Sequence, residues 1–252
     1  MPDLAVIFPI NILENAAEAI IKFFQEDVGL SWGWAIIALT FTVRLAVVPL
    51  SLRGIRSMRR MQLVAPQLKD IQEKYKDDRE RQQREMLELY KREGVNPFSS
   101  CLPFILQIPF FIAIYQLLRS SGFVSDVMDS GASQSFYFID SIIEKPQGAE
   151  TVILIVLFIS TTVLTFLYTT ATTSTATGAQ KYIFLAFPVL FAPLIASQPA
   201  GLGLYWIATN VWSLGQQVIV QRLIPAHTPP TVEEVQKTKA PPPPPRKRKR
   251  RR

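Results

Sequence analysis

Apolar residues gather into five runs along the chain, at 32–52, 98–118, 151–169, 182–197 and 201–221. Wound as helices, runs of this length match the hydrocarbon thickness of a bilayer. The pattern predicts an all-α polytopic membrane protein with five transmembrane helices. The fourth run is short, and "SQPAG" at 197–201 sets proline and glycine between it and the fifth. That punctuation predicts a tight turn, so the last two helices form a hairpin.

The polar positions define the rest. Within 1–31, residues 12–24 ("ILENAAEAIIKFF") place apolar side chains at helical spacing with Glu14, Glu18 and Lys22 opposite. This predicts an amphipathic helix lying on the membrane surface. Residues 53–97 read as two charged helices, with a turn at Asp77-Asp78 and a stop at Gly94 before Asn96-Pro97. Twelve basic and eight acidic residues there predict a solvated helical hairpin laced with i,i+4 pairs. Residues 119–150 and 170–181 read as loops. Residues 222–252 end in "PPPPPRKRKRRR", a disordered extended spacer carrying Arg246, Lys247, Arg248, Lys249, Arg250, Arg251 and Arg252. Such a tail is drawn to polyanions, either ribosomal RNA or an anionic leaflet at about 1 kcal/mol per basic residue.

Charge sets the orientation. The net charge is +7, and with alternating sides 23 of the 27 Lys and Arg fall on one face of the membrane, three on the other, and Arg44 within a span. The positive-inside rule puts the 23 in the cytoplasm, giving an N-out, C-in protein. The segment 1–31 holds five acids against one lysine, as suits a translocated tail. It does not resemble a cleaved signal peptide, so the first span is expected to insert as its own signal. A single cysteine, Cys101, cannot form an internal disulfide.

Arg44 is the anomaly. It stands near the middle of the first run, roughly 18 Å from one edge and 12 Å from the other at about 1.5 Å per residue. Insertion of such a residue costs roughly 2.5–3.5 kcal/mol. A structural ion pair would be the ordinary remedy, yet none of the five runs contains Asp or Glu. Glu150 borders the third on the outer side, and Asp140 and Glu144 lie in the outer loop. The positive charge therefore needs water and neutral acceptors, which predicts a hydrophilic groove. Thr40 shares the face of Arg44 one turn away, and Gln107 lies in the second run. Trp206, Asn210, Ser213 and Gln217 make a polar stripe at i, i+4, i+7, i+11 of the fifth. Thr161, Thr165 and Thr169 do the same in the third. Prolines 49, 103, 109, 188 and 193 predict bends.

These residues argue against enzyme chemistry, metal or cofactor. The one histidine, His227, is in the tail, and no aspartate pair, phosphate loop or GxSxG elbow occurs. A small-solute secondary transporter fits less well, because the spans show no repeat and no intramembrane acid. A scaffold tethering ribosomes through the tail is a third reading. A half-open positive groove is better suited to receiving acidic or polar segments of a polypeptide that must cross while its apolar helix slides into lipid.

Four stretches carry a resemblance: "TFTVRLAVVPLSLRG", "MQLVAPQLKDIQEKYKDD", "NPFSSCLPFILQIPFFIAIYQLLR" and "FPVLFAPLIASQPAGLGLYWIATNVWSLGQQ". In this order, over most of 32–222, the chain resembles the YidC/Oxa/Alb family of membrane protein insertases in its compact bacterial form. The resemblance implies a bacterial inner-membrane insertase and chaperone for nascent membrane proteins, acting alone or with the Sec translocon. It implies that Arg44 is the groove arginine that attracts acidic client residues and Gln107 a polar groove position. Ile108 and Phe111 match client-contacting positions, and Tyr205 with Trp206 match an aromatic pair in which the family often has two tyrosines. Residues 53–97 match the hairpin that meets the ribosome, the signal-recognition receptor and the translocon, and the tail is similar to ribosome-binding extensions.

Overall fold

A computed structural model describes residues 10–96, 102–173 and 178–223. The polybasic run 246–252, the start of the second apolar run at 98–101 and the loop residues 174–177 lie outside the described residues. Eight α-helices and one π-helical turn are present among those described. They are α1 (Ile10–Lys22), the π turn (Phe23–Asp27), α2 (Trp32–Lys74), α3 (Arg79–Glu93), α4 (Leu102–Leu117), α5 (Ser121–Asp129), α6 (Gly148–Thr173), α7 (Gly178–Ser197) and α8 (Ala200–Leu223).

The five apolar runs coincide with α2, α4, α6, α7 and α8. Two stretches are long and apolar enough to cross a bilayer by themselves, Trp32–Ile55 and Gly148–Ala171. A third arises if α4 and α5, bent by 60° at their junction, count as one span. In α7 the apolar stretch Ala186–Ser197 is shorter, and α8 carries Asn210, Ser213, Gln216 and Gln217.

The first span does not stop at Leu52. Helix α2 continues for 43 residues through Pro49 and Pro66 to Lys74, about 65 Å at 1.5 Å per residue. The residues beyond Leu52 are mostly Arg, Met, Gln, Leu and Lys, strong helix formers that propagate a helix already nucleated in the membrane. The chain reverses before Asp78, whose Oδ1 accepts from the Arg81 N–H at 3.0 Å and caps α3. Gly94 ends α3 with φ 62°, the left-handed conformation that glycine adopts freely. Between the two arms Val64, Leu89 and Val95 are buried, with Met61, Leu68, Ile71 and Tyr90 against them. Across the seam Gln82 Nε2 donates to the Gln72 carbonyl at 2.9 Å and Arg92 to Gln67 Oε1 at 3.0 Å, while among the described residues the hairpin's ion pair joins the neighbours Arg92 and Glu93.

Helix α1 uses its apolar face on the protein: Ile10, Ala17 and Ile21 are buried, the last two in the main core. Lys22 reaches Asp126 of α5 at 2.6 Å and Glu18 at 2.9 Å; these two hydrogen bonds, that to Asp126 foremost, hold its ammonium above the ordinary lysine range. The amphipathic helix read from the sequence thus forms a strap across the bundle. Helix α5 and the ordered loop after it, with its bridge between Phe136 and Ile139, are elements that the apolar pattern left as plain loop.

The main core is concentrated at the end away from the charged hairpin. Trp32, Ile36 and Leu39 of α2, Leu117 and Leu118 at the end of α4, and Leu202 of α8 are all buried there. Trp32 meets Phe123 edge-on at 5.4 Å and donates its indole N–H to Ser130 at 3.1 Å. Close backbone approach matters at Gly201, where an added Cβ would lie 2.9 Å from the Ile142 carbonyl oxygen. Toward the hairpin the helices carry fewer buried residues, and that is where Arg44 sits.

Candidate functional site

On α2, Thr40, Arg44, Val47 and Ser51 recur at i, i+4, i+7 and i+11, so one face presents them all. This face, with Val43, meets Gln107 and Phe110 of α4 and Tyr205 of α8 around a narrow cleft with a free volume of about 20 Å³, enough for one water. Arg44 is half-buried. A guanidinium nitrogen of Arg44 donates to Gln107 Oε1 at 2.5 Å, and Gln107 Nε2 donates to the Tyr205 hydroxyl. One amide therefore joins α2, α4 and α8 in a polar chain.

No acid takes part. Among the described residues Arg44 has no carboxylate partner, and Gln107 is the acceptor it finds. A guanidinium offers five N–H donors in a planar fork, so donors remain for water, a backbone carbonyl or a carboxylate from outside the molecule. Thr40 is buried and its hydroxyl donates back to the Ile36 carbonyl at 2.8 Å. Its oxygen keeps acceptor capacity toward the cleft. The Tyr205 side chain is buried.

The stripe on α8 goes elsewhere. Asn210 Nδ2 donates to Thr162 at 2.8 Å and Thr161 at 3.2 Å. Gln217 Oε1 accepts from Thr169 at 2.6 Å, and the Ser213 hydroxyl returns to the Thr209 carbonyl at 2.7 Å. The two polar stripes read from the sequence thus pair with each other as a seam between α6 and α8, and the structure does not bring Asn210, Ser213 or Gln217 to the Arg44 cleft. Trp206 also turns away from it, into a cluster with Phe111, Phe158 and Phe191 at centroid distances of 5.4–5.6 Å. Its indole N–H has no acceptor there. Ile108, on the neighbouring surface of α4, is exposed.

Sequence pattern alone located Arg44, Thr40 and Gln107. Tyr205 came only from the resemblance, because a tyrosine in an apolar run carries no polar signal of its own. Ser51 and Phe110 were missed, although Ser51 follows Arg44 on the same face at i+7.

Comparison with known proteins agrees with this architecture. A family profile described as "60Kd inner membrane protein" matches residues 23–227. The membrane protein insertase YidC of Streptomyces avermitilis is 36% identical over 229 residues, covering 80% of this chain and 54% of that protein. That of Helicobacter pylori (strain 26695) is 34% identical over 222 residues, covering 85% and 37%. A crystal structure of an active YidC insertase with its first transmembrane domain resolved superposes with a TM-score of 0.63 at 26% identity, covering 82% of this chain and 45% of that one. The chain spans about half the length, or less, of these relatives.

Proposed function

The chain belongs to the inner membrane protein family that includes the YidC insertases, and we propose that it works as one. It receives the polar or acidic flank of a nascent membrane protein at the Arg44 cleft and releases the client's apolar helix into lipid. The observation that carries this reading is Arg44 bound to an amide and no acid. A charge neutralised within the molecule would attract nothing; this one keeps donors for a client carboxylate. The work comes from burying the client's helix, roughly 0.8 kcal/mol per CH₂, so no nucleotide or cofactor is required and the role is not enzymatic.

In the arrangement we propose, α2, α4, α6, α7 and α8 each cross the membrane, the N-terminus faces outward, and the hairpin and basic tail face the cytoplasm. Support comes from 23 of 27 basic residues falling on that side. The dense core then lies at the outer end, and the thinner-packed, Arg44-bearing half faces the side from which clients arrive. Ile108, exposed on α4, and the aromatic cluster of Phe111 and Trp206 offer apolar contacts for the client's helix. The α6–α8 seam of Asn210 and Gln217 braces the far wall. The hairpin and the tail 246–252 are the surfaces for the ribosome, the Sec translocon, a signal-recognition receptor or anionic lipid.

The test is photocrosslinking from positions 44 and 206 to a stalled nascent single-span protein. The reading expects adducts from 44 to the client's polar flank and from 206 to its apolar helix. Adducts from neither position while the client still inserts would overturn it.

A further inference from the structure

At the end of the bundle away from the hairpin, an open cavity of about 470 Å³ lies where α4, α5, the loop before α6 and the α7–α8 turn meet. Its rim carries Arg119 and Lys145, both exposed and, among the described residues, without an ion pair. Arg119 is held in place by Tyr115, lying 5.2 Å above its ring and donating to its hydroxyl. The floor is apolar, with Leu118 and Ile143 buried. In the wall, Gln198 Nε2 donates to Ser197 at 3.1 Å, while Gln198 Oε1 is shut off from solvent and has no donor.

The wall is also braced. The Ala200 and Gly201 N–H groups donate to the Glu144 and Ile142 carbonyls, each at 2.8 Å. These bonds clamp the loop bearing Lys145 onto the first turn of α8, so the cavity is a fixed feature and not a gap beside a loose loop. Both α4 and α7 end here after apolar runs, which places it at the level where the chain leaves hydrocarbon for headgroups.

Two cations above an apolar floor call for an amphiphile with an anionic group. We infer that this cavity binds the headgroup of an anionic bilayer phospholipid, its phosphate between Arg119 and Lys145. The inference uses neither Arg44 nor any client and so goes beyond the insertase reading. It describes a resident lipid that wedges the α7–α8 hairpin against α4 and α5.

Full-length protein extracted from vesicles of equal phosphatidylglycerol, phosphatidylethanolamine and phosphatidylcholine, then examined by native mass spectrometry, tests it. The wild type should retain phosphatidylglycerol, which is net anionic, over the zwitterionic phosphatidylethanolamine and phosphatidylcholine. Arg119→Gln with Lys145→Gln should weaken phosphatidylglycerol retention roughly 30-fold, while Lys91→Gln on the hairpin leaves it unchanged. All side chains replaced at the rim are exposed, and an unchanged unfolding midpoint verifies that the variants fold. Equal retention by the wild type and the double variant overturns the inference. So does binding of glycerol phosphate in lipid-free detergent as tight as that of the lipid, which would mark a soluble-phosphate site. Displacement of the lipid by an acidic peptide of equal affinity would reassign the cavity to clients.

Discussion

At Arg44 the penalty for holding a guanidinium inside a bilayer is offset by one amide oxygen at 2.5 Å and, in our account, by water and clients. The position was legible because Arg44 is a lone base inside an apolar run and none of the five apolar runs holds an acid. Its partner's second bond, to Tyr205, was not legible: a tyrosine looks apolar in a hydropathy pattern, and which face it takes depends on packing. Replacing the neutral amide by an acid separates stability from function here. Gln107→Glu should give Arg44 an internal carboxylate and raise the thermal unfolding midpoint in detergent, since hydrogen bonds to charged groups are worth about 1.5–3 kcal/mol. The same change should reduce insertion of clients with acidic translocated segments several-fold and leave neutral clients nearly unaffected. An unfolding midpoint that falls, with both client classes inserted equally, would contradict the role given to the unpaired charge.

Among the elements, α6 and α8 show how a correct pattern can point to the wrong neighbour. Both polar stripes were visible at helical spacing, but sequence periodicity gives a face and not what lies opposite it. The Asn210 amide donates to the Thr161 and Thr162 hydroxyls at 2.8–3.2 Å because its N–H would otherwise be unsatisfied in hydrocarbon. A double-mutant cycle with Asn210→Leu and Thr162→Val should give a coupling of roughly 0.6 kcal/mol and at most about 1.7 kcal/mol. A coupling of zero, read from unfolding in micelles, would remove the seam. Helix α5 escaped notice for another reason. At nine residues with serine and glycine in its first turn, it has little propensity of its own and forms because Phe123 and Val127 are buried in the main core, Phe123 edge-on to Trp32 of α2. Conversely, the caps of the hairpin, Asp78 and Gly94, were readable since capping is local chemistry.

For the molecule as a whole, packing is graded: dense where α1, α5 and the loop before α6 close the bundle, thin toward the hairpin. Apolar runs and basic loops are the basis for the proposed crossings and direction, but they do not give this gradient, which depends on how the connecting loops fold back. The orientation is open to direct assay. With Cys101→Ser as background, a cysteine at Gln83 of α3 should react with a membrane-impermeant maleimide only after the membrane is opened, and one at Ser133 in intact cells. Labelling of position 83 from outside would reverse the proposed topology.

The central claim is that the charge of Arg44 receives opposite charge from a client, and a charge swap tests it most directly. Purified protein in liposomes would be given a single-span client with an acidic translocated tail, and insertion read as the protease-protected fraction. We predict that Arg44→Glu inserts this client several-fold less well than the wild type. A client whose acids are changed to lysine should be inserted by Arg44→Glu at near wild-type yield. If Arg44→Glu inserts the acidic client as well as the wild type does, the claim is contradicted.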